Sequence, residues 1–98
     1  MSDQPYQLII APTARRQLTD QLPEPVAFAA YEFITGPLLE KPHRVGKRLR
    51  PPLHDRHSAR RGTYRMFYRI DDTRRLDDTR RLVTVVGVVA RADAHRPH

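Results

Sequence analysis

The chain contains no cysteine. Neither a disulfide framework nor a thiolate metal site can therefore form, which suits a reducing compartment. It also has no apolar run near the ~20 residues that a bilayer-crossing helix requires. The first residues, Met1-Ser2-Asp3-Gln4-Pro5, show no positive segment leading into an apolar one, so no secretory signal is expected. P-loop, dinucleotide fingerprint, nucleophile elbow and helix-turn-helix patterns are all missing. His54-x-x-His57 and His95-x-x-His98 lack a nearby carboxylate or thiolate, so no metal and no cofactor are expected. These absences leave a cytoplasmic, soluble protein with no membrane partner.

Acidic residues are also scarce. Eleven Asp and Glu stand against 18 Lys and Arg in 98 residues, a formal charge of +7. Such an excess in one small domain (1–98) points to a polyanionic partner: nucleic acid, an anionic membrane surface or an acidic protein. The plainer alternative is solvated surface charge.

Tyr6 to Ile10 alternates as a first strand. Thr13 reads as a helix N-cap, and Ala14, Leu18 and Leu22 draw one apolar stripe up to Pro23. A second helix starts near Glu24-Pro25, buries Val26, Ala29, Ala30, Phe33 and Ile34, and stops at Gly36-Pro37. Lys41 to Arg50 reads as a basic surface loop, closed by Pro51-Pro52. Three strands follow: Arg56 to Arg60, Thr63 to Ile70 after a turn at Arg61-Gly62, and Leu82 to Val89. In the middle strand Tyr64, Met66, Tyr68 and Ile70 share one face and Arg65, Phe67 and Arg69 the other. The last strand is almost uniformly apolar, as if covered on both faces. The expected fold is α+β: two antiparallel helices on a mostly antiparallel four-stranded sheet, in the order β-α-α-β-β-β.

Between the last two strands, Asp71-Asp72-Thr73-Arg74-Arg75-Leu76 is repeated at once as Asp77 to Leu82. Each copy carries two Asp and two Arg, so the duplication adds no net charge. It reads as a tolerated loop insertion that is either mobile or extends the hairpin outward.

Strand periodicity also groups Arg56, Ser58 and Arg60 on one face. Closing the hairpin at Arg61-Gly62 would set them beside Arg65 and Arg69, a field of guanidinium forks suited to phosphate. Phe67 among them could stack on a base. Equally, Phe67 could be core under a helix and the arginines a solvated face.

The run Ser58-Ala59-Arg60-Arg61-Gly62-Thr63-Tyr64-Arg65-x-x-Tyr68-Arg69-Ile70 resembles the RelE/ParE toxin superfamily, and especially its actinobacterial RelE members. Gly46-Lys47-x-Leu49 before it and Arg91 after the last strand belong to the resemblance, as do the Ala14-Arg15-Arg16-x-Leu18 helix start and Gly36-Pro37-Leu38. Membership implies a toxin that cuts messenger RNA in the ribosomal A site, using the ribose 2′-hydroxyl as nucleophile and cationic side chains to stabilise the phosphate. By motif position Arg65 and Arg91 are the implied phosphate stabilisers, and Arg56 falls where the family often has a catalytic lysine. Ser58 replaces a second lysine, a departure for which Arg60 or Arg61 could compensate. Lys47, Arg48, Arg60, Arg61, Arg69 and Phe67 are candidates for RNA and phosphate binding. His95 stands near the family's terminal tyrosine or histidine and could shuttle a proton, or belong to a frayed tail.

The resemblance also implies a cognate antitoxin of RelB or Phd type, the ribosome and its message, and operator DNA only through the antitoxin. Two other readings stay open: a ParE-like inhibitor of DNA gyrase, and a degenerate toxin retaining only antitoxin and operator binding.

Overall fold

The computed structural model describes residues 6–75 and 78–90, with backbone pairing alone for residues 74, 75, 78 and 79. Strand β1, Gln7–Ile10, runs parallel to the last strand, β5, Asp78–Ala90, in the register Leu8↔Val83 and Ile10↔Val85. A parallel pair needs a long crossover, and here the helices supply it. Helix α1, Pro12–Arg16, continues into a π-helical turn, Gln17–Gln21. Pro12 occupies its first turn, where a missing N–H costs nothing. Ala11 is the N-cap and is tied to the sheet through its N–H to the Val85 carbonyl, 2.9 Å. Thr13, expected to cap, therefore lies too late in the chain and sits within the helix.

Helix α2, Glu24–Thr35, ends at Gly36 as expected, but Pro37 opens a further short helix, α3, Pro37–Glu40. Ala30, Phe33 and Ile34 are the buried residues of α2; Ala29, expected among them, is exposed. The segment from Lys41 to Arg50 is not wholly loop. Lys47–Arg48 forms strand β2, paired with Ser58 and His57 of β3, His57–Arg61. Two residues bounded by Gly46 and prolines carry no alternation to detect. Strand β4, Tyr64–Arg75, completes a five-stranded sheet in the order β1-β5-β4-β3-β2, antiparallel except at β1. The α+β class stands, with one strand more than expected.

One face of the sheet meets the helices. Tyr64, Met66, Tyr68, Val83, Val85 and Val88 bury there against Ala14, Leu18, Phe33, Ile34 and Leu38. Each large apolar side chain so buried contributes roughly 1.5–3 kcal/mol. The opposite face is open: Val89, next to the fully packed Val88, is 42% exposed. The expectation that β5 is covered on both sides therefore does not hold. A bulge, where Phe67 pairs Gly87 and Tyr68 pairs Val85, shifts the alternation and puts buried valines at positions of both parities. Gln17 Oε1 accepts the Val88 N–H at 2.7 Å beside this bulge. Among the described residues, no helix is long and apolar enough to cross a membrane.

In its described residues, 71–75 and 78–82, the repeat is strand and extends the hairpin outward, the second of the two expectations. Its two copies pair antiparallel with each other: Asp71↔Leu82, Asp72↔Arg81, Thr73↔Arg80, Arg74↔Thr79 and Arg75↔Asp78. The base of this arm is fastened to the body. Tyr6 donates to Asp72 at 2.5 Å, and the Arg81 guanidinium lies 4.4 Å from the Tyr6 ring centroid. Deleting residues 77–82 lets Leu76 and Arg75 take the registers of Leu82 and Arg81, with Thr73-Arg74 as a two-residue turn. This deletion should change stability by less than about 1 kcal/mol, a shift in melting temperature under about 8 °C by calorimetry.

Candidate functional site

On the open face the antiparallel register sets two rows side by side. Lys47 faces Ser58, which faces Phe67; Arg60 faces Arg65, which faces Val89. The loop before β2 rises beside these rows and closes a cleft of about 530 Å³, lined by Val45, Gly46, Lys47, Arg48, Leu49, Arg50, Ser58, Arg60 and Arg65. Five of the nine are cations and none is acidic. Among the described residues, none of the five lies within ion-pair distance of a carboxylate. Like charges held together with no counter-charge form a site for a polyanion, because an incoming phosphate relieves their mutual repulsion.

The candidates from the sequence divide. Lys47, Arg48, Arg60 and Arg65 line the cleft, as does Arg50, which alternation could not place because it follows a two-residue strand. Arg69 stays exposed two positions beyond Phe67, opposite Thr84, and Phe67 is partly buried opposite Gly87; neither lines the cleft. Arg56 precedes β3 and does not line the cleft; among the described residues its Nε is buried without a hydrogen-bond partner. Arg61 turns to the helix side at the strand end. There it lies 4.4 Å from the Phe33 ring centroid and lines a separate shallow groove with Ala29, Glu32, Pro37 and Tyr64. Cation–π attraction to Phe33 holds Arg61 in that groove, outside the lining of the cleft. Arg91 and His95 lie outside the described residues.

Behind the cleft, on the helix side, sits a histidine that the sequence marks only by its His54-x-x-His57 spacing, which carries no sign of its burial. His57 is 8% exposed and stacks on Tyr68, with ring centroids 5.4 Å apart and planes at 26°. His43 meets it edge-on at 5.9 Å and approaches Asp72 at 3.5 Å. Burial, then the neighbouring His43 and Arg48 charges, hold the His57 imidazole below its ordinary 6.5, and among the described residues its Nδ1 has no hydrogen-bond partner. Among the described residues, no group of three or more His, Asp or Glu gathers to hold a metal.

Toxin RelE of Mycobacterium tuberculosis is 56% identical over 70 residues, 71% of either chain. Toxin RelG of the same organism is 45% identical over 92 residues, 94% of this chain and 98% of RelG. The chain belongs to the RelE family. Among solved structures, the toxin–antitoxin complex RelBE2 from Mycobacterium tuberculosis contains a chain that matches this RelE-type toxin with a TM-score of 0.78. That match has 44% identity and covers 90% of this chain and all of the other. No family model matches the chain.

The buried histidine of this toxin makes its stability depend on pH. As pH falls through about 6.5 the unfolded chain protonates at His57 while the folded protein resists, so the unfolded state takes up more protons and stability drops. The loss is complete once pH lies below the depressed folded-state value. His57→Gln should flatten this part of the curve, read as denaturation midpoints between about pH 7.5 and 5.

Proposed function

We propose that this toxin cleaves messenger RNA in the ribosomal A site, with the cleft as the seat of the message backbone. The observation that carries this reading is the convergence of Lys47, Arg48, Arg50, Arg60 and Arg65 around one acid-free cleft. In the proposed reaction the ribose 2′-oxygen attacks the adjacent phosphorus and the P–O5′ bond breaks. The 2′-hydroxyl proton leaves to a base, the 5′-oxygen takes up a proton, and the products are a 2′,3′-cyclic phosphate and a 5′-hydroxyl. The pentacoordinate phosphorus carries more negative charge than the ground state, and guanidinium groups fixed beside it favour that state selectively. Arg65, on the central strand β4, is the stabiliser, assisted by Arg91. Lys47, Arg48, Arg50 and Arg60 hold the flanking backbone in line for attack. His95 is the proton shuttle in this scheme. Arg56 and Arg61, which do not line the cleft, take no direct part in this scheme, and no metal is invoked.

A cognate antitoxin of RelB or Phd type is the second partner. An acidic segment laid along the same cleft would neutralise it and exclude the message.

Primer extension on a message in a translating extract tests the nuclease reading. Wild-type toxin should cut within codons, and Arg65→Ala should slow cutting by about 10²–10³-fold. An intact message together with inhibited DNA supercoiling would instead establish a gyrase inhibitor. Antitoxin affinity should fall as salt rises, measured by titration calorimetry, since exposed charges contribute less when screened. Affinity that rises with salt contradicts electrostatic capping of the cleft.

A further inference from the structure

Three of the five cleft cations, Lys47, Arg48 and Arg50, stand on or just after a strand of two residues. The ladder of β2 to β3, with the added bond from Leu49 N–H to the Arg56 carbonyl, is a short attachment for a segment lined with like charges. A second attachment lies behind it. Tyr68, on the helix-side face of β4, is fully buried and donates its hydroxyl to the Pro42 carbonyl at 2.7 Å. Four residues on, the chain passes the same hydroxyl again. A Cβ on Gly46 would stand 2.5 Å from Tyr68 Oη and 2.7 Å from the Ser58 carbonyl oxygen, so only glycine lets the backbone come this close. The hydroxyl thus touches both ends of the segment 42–46 that leads directly into Lys47. His57, stacked on the ring, holds its plane.

We propose that Tyr68 is a positioning residue of the cleft: its hydroxyl, against Pro42 and Gly46, seats the segment that presents Lys47, Arg48 and Arg50 opposite Arg60 and Arg65. The inference rests on the cleft being the site of the message backbone. Burial pushes the Tyr68 hydroxyl up to about 12, so it stays protonated, and a hydrogen-bond donor, throughout the physiological range. Tyr68 touches no substrate; it acts through the cations it places. Phenylalanine keeps the ring and its packing and removes only the donor. Its effect should therefore pass through one side of the cleft and leave the Arg60–Arg65 row in place.

The test measures toxin binding to programmed ribosomes whose A-site codon carries 2′-O-methyl groups, which permit binding and block cleavage. Tyr68→Phe should weaken binding about five- to tenfold, as expected for one missing buried hydrogen bond. It should also flatten the salt dependence by about 0.7 in log–log slope for each phosphate that the toxin no longer neutralises. In a Lys47→Ala/Arg50→Ala background the substitution should have little further effect, while in an Arg65→Ala background it should keep its full effect. A merely structural role would lower the melting temperature and weaken binding equally in both backgrounds, and that result overturns the proposal. Gly46→Ala approaches the same hydroxyl from the loop side and should reproduce the flattened slope, which keeps the test available if Tyr68→Phe does not fold. A wild-type protein that cuts no message in the translating extract overturns the reading of the cleft itself. A wild-type protein that cuts, beside a Tyr68→Phe variant of unchanged affinity and slope, overturns only the role of Tyr68.

Discussion

Cations gathered without counter-ions push one another apart, and every part of this fold bears on how that repulsion is contained. The sheet is a suitable device for it. Strands β3 and β4 fix Arg60 and Arg65 by backbone hydrogen bonds, which no side-chain charge can rearrange. The restoring force comes from the other face, where Tyr64, Met66 and Tyr68 of β4 are sealed under the helices. The same strand therefore carries a dry side that stabilises and a wet side that presents charge to solvent.

Much of this was legible in the sequence because a strand with one buried face must alternate. Tyr64-Arg65-Met66-Phe67-Tyr68-Arg69 states its two faces without ambiguity, and the +7 balance reappears as the five cations of the cleft. Legibility failed wherever something interrupts the period of two. The valine run of β5 suggested burial on both sides, whereas its bulge moves the buried set from Val83 and Val85 to Val88. Arg56 and Arg61 stand at the two ends of β3, where alternation loses its hold and local partners decide. For Arg61 that partner is the Phe33 ring. β2 is too short to own a pattern, and Arg50 goes unplaced with it. His57 is buried by residues distant in sequence, His43 and Tyr68 among them, so its local His54-x-x-His57 spacing could not show that burial. The family resemblance rested on the strand motif and was borne out by the relatives.

The helix side of the sheet holds a second organised region, formed by Tyr6, His43, Asp72 and Arg81 around the root of the arm. Burial and the Asp72 hydrogen bond raise the Tyr6 hydroxyl, with Arg81 partly opposing them. Through His43 and His57 this region reaches the ring of Tyr68 in a continuous series of aromatic contacts. Root and cleft are therefore joined by packed rings rather than by the backbone ladder alone.

The arm also bears on inheritance, apart from mechanics. Read outward along one strand and back along the other, the six-residue unit is its own complement: the acidic second residue of the first copy faces the basic fifth residue of the second. A unit of this kind lengthens both strands equally and keeps them in register. Slippage of a copying polymerase over the tandem repeat would therefore yield chains of different length whose cores and clefts superimpose.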